Sequence, residues 1–231
     1  MHVIGVLGGM GPAATLDFMA KVLAADPAAL EQDKVRLIVD CNPGVLDRNA
    51  AARGEGPSPG PALAAMARGL VGAGADFLVI ACNTAHAWLG DITAAVNAPV
   101  LSMIEAACEA IARAHPGVRR IGLLAGQGCL DAGIYQSACA ARGWQAVVPG
   151  REDQAAVMAA LYRIKGGALG EPEREDLLRC ARATIEAGAE MVIAGCTEVP
   201  LLLTASDLTV PLIDPTQVLA ERAVAYARAA L

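Results

Sequence analysis

Short apolar runs alternate along this chain with longer segments in which apolar residues recur at the spacing of one helix face. The runs that predict strands cover residues 3–7, 35–41, 77–81, 100–101, 121–124, 146–148, 191–194 and 212–213. Most of these runs are apolar almost throughout, which is typical of strands buried on both faces of a parallel sheet. Between two of them, Leu63, Met66, Ala67 and Leu70 form one apolar helix stripe. This alternation predicts an α/β fold.

Three sequence segments of the first half of the chain recur in the same order in the second half. Three pairs of segments resemble each other, namely residues 4–11 and 121–128, 74–82 and 188–196, and 98–101 and 210–213. Apolar strands resemble each other by chance, but three matches in the same order indicate two related α/β halves. Ligands of such sheets bind at the carboxyl ends of the strands. Two halves that face each other would therefore share one cleft.

Composition and charge exclude several classes of partner. The net charge is −6 and aromatic residues make up 3% of the chain, so we expect neither nucleic acid nor an anionic membrane as the main partner. No apolar run is long enough to span a bilayer. The chain has seven cysteines, and without an export signal these predict reduced thiols in the cytoplasm.

Two of the cysteines occupy equivalent positions in the repeat. Cys82 and Cys196 each follow a predicted buried strand and precede a predicted helix. The N-terminus of a helix lowers the pKa of a thiol from about 8.5, so we expect both to be thiolates near neutral pH. Inert packing is the usual fate of a free cysteine, but the equivalent placement favours a functional pair. Two opposed thiols suit the removal of a proton from one face of a carbon and its return to the other face.

Other readings of the same residues remain open. His86 lies four residues after Cys82 and either supports that cysteine or holds a loop carbonyl. Cys82, His86 and Cys196 could supply three zinc ligands, but the spacing of known zinc motifs is missing, so we predict no metal. The glycine-rich segment 5–11 does not fit GxGxxG, which favours a small anion over a dinucleotide.

Two cations are candidates for binding a carboxylate. Arg48 follows the second predicted strand and can hold a carboxylate with two parallel hydrogen bonds, although an Asp47–Arg48 pair on the surface is the plainer interpretation. Lys165 ends a predicted helix, where a cation is favourable in any case.

Four motifs together resemble the cofactor-independent aspartate/glutamate racemase family, and the resemblance runs from Ile4 to about Ala223. The motifs are Gly8-Gly9-Met10-Gly11-Pro12, Asn42-Pro43 with Asp47-Arg48, Cys82-Asn83-Thr84-Ala85-His86 and Gly195-Cys196-Thr197-Glu198. The resemblance implies that Cys82 and Cys196 are the catalytic acid and base. It implies substrate contacts from Met10, Arg48, Asn83, Thr84, Lys165 and Thr197, with Asp47 and Glu198 near the thiols.

One segment departs from the family pattern. The family commonly has Ala-Thr-x-Gly-Thr where this chain has Ala125-Gly126-Gln127-Gly128-Cys129, so two hydroxyl groups are missing. We assign the vacant substrate contact to Gln127, with Cys129 as the alternative.

The resemblance also implies an architecture and an activity. We expect two pseudo-symmetric three-layer α/β domains with mostly parallel sheets and the active site between them. The first domain would comprise residues 1–102 plus 211–231, because the C-terminal helix returns to it, and the second would comprise residues 103–210. The expected protein is a homodimer that racemises aspartate first and glutamate second, and it uses no cofactor.

Two rival functions follow from the same residues. A related isomerase or decarboxylase, such as a maleate isomerase, would use a cysteine as nucleophile or keep only one. A non-catalytic protein that binds an amino acid or a dicarboxylate would have lost a cysteine. This chain retains both thiols, which favours racemisation.

Overall fold

The computed structural model describes residues 1–229 and contains two parallel four-stranded sheets. The strands are β1 (Ile4–Gly8), β2 (Leu37–Cys41), β3 (Phe77–Ile80), β4 (Val100–Leu101), β5 (Arg120–Leu123), β6 (Gln145–Val147), β7 (Met191–Ile193) and β8 (Leu212–Ile213). Their orders are β2-β1-β3-β4 and β6-β5-β7-β8. The predicted α/β class and two-fold repeat are confirmed, and the ends of the eight predicted strands differ by at most two residues.

Helices cover both faces of each sheet. They are α1 (Pro12–Ala25), α2 (Arg48–Ala52), α3 (Gly60–Gly72), α4 (Leu89–Ala95), α5 (Met103–Ala114), α6 (Gln127–Asp131), α7 (Ile134–Ala140), α8 (Arg151–Lys165), α9 (Glu171–Glu186) and α10 (Pro215–Arg228). Short 3₁₀ turns lie at Glu31–Asp33, Thr84–Trp88, Val199–Leu201 and Ala205–Asp207. Among residues 1–229, no helix has both the length and the apolar character needed to cross a membrane.

The two sheets repeat each other down to single glycines. A β-carbon at Gly5 would lie 2.6 Å from Leu78 Cδ2, and one at Gly122 would lie 2.9 Å from Thr184 Cγ2. Gly5 and Gly122 are the second and third residues of the equivalent strands β1 and β5. Each glycine thus lets neighbouring elements pack closely against the centre of its sheet.

Each half sends one helix to the other. Helix α5 follows β4 but contributes Ala107, Cys108 and Ile111 to the core of the second sheet. Helix α10 follows β8 and contributes Leu219 and Ala223, among others, to the core of the first sheet. The last strand and the last helix therefore belong to different halves.

The expected domain boundary at residue 211 stays a prediction. The strand pairing shows where the chain passes from the second sheet back to the first half. Leu212 and Ile213 pair with β7 in the second sheet, because the apolar run 210–213 repeats the strand that closes the first sheet. The chain leaves the second sheet only at Asp214, which caps α10 by accepting a hydrogen bond from Thr216 N–H. Residues 230 and 231 of the expected first domain lie outside the described residues.

Candidate active site

A narrow cleft lies where segments that follow the strands of both sheets meet. Met10, Cys82, Gly126 and Cys196 each follow one of the four central strands. The remaining lining residues are Arg48 and Asn49 of α2, Asn83 and Thr84, Met158, Leu161, Tyr162 and Lys165 of α8, and Thr197 with Glu198. Parallel strands deliver their following loops to one edge of a sheet, and this brings the two halves together around one site.

Most of the residues selected from the sequence line this cleft. They are Cys82, Cys196, Met10, Arg48, Asn83, Thr84, Lys165, Thr197 and Glu198. Asp47, His86 and Gln127 are not among the lining residues. Asp47 and His86 contact residues that do line the cleft, as described below.

Gln127 points away from the cleft. Its amide donates a hydrogen bond to Asp131 Oδ1 at 2.6 Å, and it lines a separate surface groove. Cys129 is fully buried in the core of the second sheet. Asn49 of the first half lies here instead, because its Oδ1 accepts a hydrogen bond from Gly128 N–H at 2.9 Å. A residue from the opposite half thus lies beside this segment in the cleft lining, where Gln127 does not; the substrate contact of Gln127 stays a prediction.

Sequence reasoning missed five lining residues. Asn49 and Gly126 are direct neighbours of selected positions, which was the available signal. Met158, Leu161 and Tyr162 precede Lys165 by seven, four and three residues, which is the spacing of one helix face. Once Lys165 is assigned to the cleft, its helix period indicates the other three.

The backbone at Cys82 is held by a neutral histidine. His86 Nε2 accepts a hydrogen bond from Met103 N–H at 3.1 Å, so its Nδ1 carries the proton and donates to the Cys82 carbonyl at 2.9 Å. Burial lowers the pKa of His86 to about 4. With both nitrogens engaged, His86 is not placed to act as a base for Cys82 or to bind a metal. Its contact is with the Cys82 backbone, not with the thiol.

The thiol of Cys196 is hydrogen-bonded to the carboxylate of Glu198. Its Sγ donates a hydrogen bond to Glu198 Oε2 at 2.9 Å, while Glu198 Oε1 accepts from Lys165 Nζ at 2.5 Å. Burial and the adjacent Glu198 charge raise the pKa of Cys196 well above its usual value, although Lys165 opposes the shift. The expectation of a thiolate at neutral pH is therefore wrong for Cys196. Only a short 3₁₀ turn follows it, and this turn does not outweigh burial.

One backbone oxygen contacts both cations of the cleft. Lys165 Nζ and Arg48 Nη2 donate to the Met10 carbonyl at 3.2 and 3.4 Å, and Arg48 Nη1 also donates to the Val45 and Leu46 carbonyls. Burial disfavours the charge of Lys165, but the acidic groups of Cys196, Glu198 and Cys82 outweigh it and raise the pKa of this lysine. Lys165 therefore stays charged inside the cleft.

Asp47 links the two halves outside the cleft lining. It caps α2 by accepting a hydrogen bond from Asn49 N–H at 2.8 Å, and it accepts another from Tyr162 OH of α8 at 2.8 Å. Burial opposes its ionisation, but these hydrogen bonds hold the pKa of Asp47 below its ordinary value. Asp47 thus contacts α2 and Tyr162 rather than a thiol.

Two similar α/β halves each contribute a cysteine loop to one cleft, an arrangement that agrees with an amino-acid racemase. The sequence profile of the Asp/Glu/hydantoin racemase family matches residues 7–223. The chain belongs to this family, and it is an isomerase of the racemase type.

Individual relatives agree with this assignment. The aspartate racemase of Picrophilus torridus has 26% sequence identity and a TM-score of 0.88, with 98% of this chain and 94% of that chain covered. An aspartate racemase homologue from Pyrococcus horikoshii OT3 has 27% identity and a TM-score of 0.77, with 98% and 99% covered. The broad-specificity amino-acid racemase RacX of Bacillus subtilis is 27% identical, with 96% of each chain covered.

Proposed function

We propose that the protein interconverts L- and D-aspartate, with glutamate as the second substrate, by a two-base mechanism that needs no cofactor. The observation that carries the proposal is that Cys82 and Cys196, from equivalent loops of the two halves, line the same cleft. One thiolate removes the α-proton from one face of the substrate, and the other thiol donates its proton to the opposite face. The two cysteines then exchange roles for the other enantiomer.

Glu198 accepts the proton of Cys196 when this cysteine has to act as the base. In the resting state the thiol of Cys196 is hydrogen-bonded to the Glu198 carboxylate, so this cysteine is ready to donate. In the reverse direction Cys196 must first lose its proton, and Glu198 Oε2 at 2.9 Å is the acceptor at hand. Lys165 balances the charge of whichever group is ionised.

Hydrogen-bond donors around the thiols stabilise the carbanion. The negative charge that develops when the α-proton leaves is spread onto the substrate carboxylate, where fixed donors are most effective in a cleft that excludes water. Arg48, Asn83, Thr84, Lys165 and Thr197 supply such donors among the lining residues. These residues are the proposed substrate contacts.

Two observations support the proposal of an acidic substrate. Arg48 and Lys165 are two cations in one cleft, which suits a molecule with two carboxylates, and the Picrophilus torridus relative is an aspartate racemase. A broader range of amino acids is the second candidate. The neighbouring Met158 and Leu161 are apolar, Lys165 is already paired with Glu198, and the Bacillus subtilis relative has broad specificity.

We propose a cytoplasmic homodimer as the working form. Two thiols that must stay reduced are best kept in the cytoplasm. An exposed face of α1 carries Ala13, Leu16, Ala20, Leu23 and Ala24, and Leu16 is 67% exposed. An apolar helix face of this kind supports a contact with a second copy. Sedimentation equilibrium of the wild type and of Leu16→Glu tests it, and a monomeric wild type would contradict the dimer.

The activity is tested by offering each of the twenty L-amino acids without added cofactor and separating the enantiomers by chiral chromatography. We expect aspartate to be racemised fastest. Faster turnover of alanine than of aspartate would contradict the acidic substrate, and no turnover of any amino acid would contradict the racemase reading of the site.

Deuterium oxide tests the two-base mechanism. At low conversion the product enantiomer should carry deuterium while the remaining substrate stays protiated, because different thiols remove and deliver the proton. Early deuterium in both enantiomers would contradict two bases. Exchange between a thiol and trapped water could imitate that result, and single cysteine variants control for it. A lone remaining thiol can exchange one enantiomer but cannot invert it.

A further inference from the structure

Asn83 carries a buried hydrogen-bond donor that has no partner. The residue is 2% exposed and lines the cleft beside Cys82. Its Oδ1 accepts a hydrogen bond from Tyr135 OH at 2.7 Å, whereas its Nδ2 has no hydrogen-bond partner within residues 1–229. Buried polar groups are nearly always paired, so an unpaired one beside a site calls for a partner that arrives later. An anionic substrate is such a partner.

Tyr135 contacts both cysteine loops from within the second half. It lies in α7, is fully buried, and donates its hydroxyl proton to the residue that follows Cys82. On its other side, a β-carbon at Gly195 would lie 3.5 Å from Tyr135 Cε2 and 2.7 Å from Ala125 Cβ. The ring therefore lies close to the backbone before Cys196, although Ala125 rather than the ring is the neighbour that requires glycine there. Burial also raises the pKa of Tyr135 well above its usual value, which keeps it a neutral donor.

The orientation of the Asn83 amide decides what the substrate meets. A carboxamide has a donor end and an acceptor end, and the hydroxyl proton of Tyr135 needs an acceptor. With Oδ1 on Tyr135, the NH₂ group is left without a partner among residues 1–229. In the reversed orientation Oδ1 would be the end left for a substrate carboxylate and would repel it, and the Tyr135 proton would lose its acceptor.

We propose that Tyr135 is a positioning residue that holds the Asn83 amide with its NH₂ group available to the substrate carboxylate. This inference rests on the proposed function, because it takes Asn83 as a substrate contact. The Asn83 donor strengthens its hydrogen bond as negative charge moves onto the carboxylate during proton removal. Its orientation therefore affects kcat more than KM.

The first experiment replaces Tyr135 by Phe, which keeps the ring and removes the hydroxyl. We expect kcat/KM for the amino acid that the wild type racemises fastest to fall about tenfold, mainly through kcat, because one donor is no longer held in place. Tyr226→Phe is the matched control, since Tyr226 is 37% exposed and lies outside the cleft lining. Unchanged kinetics in Tyr135→Phe would overturn the proposal.

A double-mutant cycle separates positioning from simple loss of packing. If Tyr135 acts through Asn83, then Tyr135→Phe should change kcat/KM in the wild type but have almost no further effect in Asn83→Ala. If Asn83→Ala turns over slowly, the same cycle is read at higher enzyme concentration and with longer incubation. An equal effect of Tyr135→Phe in both backgrounds would overturn the proposal.

Asn83→Asp gives an independent check. Aspartate still accepts the Tyr135 hydrogen bond but presents a negative oxygen to the substrate, so we expect a larger loss of kcat/KM than in Asn83→Ala. A smaller loss would overturn the proposal. A wild type that racemises no amino acid would instead contradict the proposed function itself, so the two failures are distinguishable.

Discussion

The Cys82 loop and the Cys196 loop hold equivalent places in the repeat but differ in what they contact. At Cys82 the partner is a neutral histidine that bonds the backbone carbonyl. At Cys196 the partner is a carboxylate that bonds the thiol itself and is paired with Lys165. A duplicated scaffold has thus placed two cysteines alike while surrounding them with different chemistry.

This difference shows that geometric symmetry does not require chemical symmetry. Enantiomers have equal free energies, so kcat/KM must be the same in both directions whatever the two loops contain. The loops remain free to divide the work otherwise. The thiol of Cys196 is hydrogen-bonded to a carboxylate, whereas His86 bonds the backbone carbonyl of Cys82 and not its thiol. Four measurements test this difference between the Cys82 loop and the Cys196 loop.

The largest effect is expected from removing either thiol. Cys82→Ala and Cys196→Ala should each lower racemisation about a thousandfold, because each removes an acid or base that no neighbour replaces. The circular dichroism spectrum should stay that of the wild type. Cys41→Ala is the matched control, since Cys41 also ends a strand but is exposed and outside the cleft lining. Wild-type turnover in either variant would show that this loop takes no part in proton transfer.

Glu198→Gln tests the carboxylate that distinguishes the Cys196 loop. We expect kcat to fall about a hundredfold, because Cys196 loses its proton acceptor. The Glu198 charge raises the pKa of Cys196 and Lys165 lowers it, so removing the carboxylate should lower that pKa. The fall in kcat/KM at high pH, where the donor thiol ionises, should then begin at lower pH.

The control for Glu198→Gln is Glu186→Gln, which removes one negative charge from an exposed position of α9. If the pH profile of Glu198→Gln matched that of the control, Glu198 would not govern the ionisation of Cys196.

His86→Gln tests the neutral partner of the Cys82 loop through stability. The pKa of His86 is about 4 in the folded chain against an ordinary 6.5, so only the unfolded chain takes up this proton between those values. The free energy of unfolding should therefore fall as pH drops from about 6.5 to about 4, by at most about 3 kcal/mol. The variant should lack this part of the slope.

Urea unfolding at several pH values measures the slope, with His115→Gln as the control at a partly exposed histidine. An unchanged slope in His86→Gln would mean that His86 binds its proton as readily in the folded protein as in the unfolded chain, and the contrast between the two loops would lose its basis.

The smallest effect is expected where the halves meet outside the loops. Tyr162→Phe removes the hydrogen bond to Asp47, and because Tyr162 is 47% exposed we expect only about a twofold to threefold rise in KM. Tyr226→Phe serves again as the control. A large fall in kcat would instead place Tyr162 in the chemical step.

The sequence predicted more of the fold than of the site. Continuous apolar runs and the repeat were enough for both sheets, because strands buried on two faces tolerate little else. The two thiols followed from the same repeat. The substrate contact of Gln127 stays a prediction, but its side chain bonds Asp131 outside the cleft lining. Asn49 instead contacts Gly128 N–H from the other half, and no local pattern indicates such a contact.

The exchange of helices α5 and α10 bears on how the chain folds. Residues 1–102 without α10 would leave part of their apolar core in water, although they contain a whole sheet. Residues 103–213 include α5 and contain every member of the two cores around the second sheet. The first fragment should therefore recover native structure only when α10 is supplied, whereas the second should keep more of its structure alone.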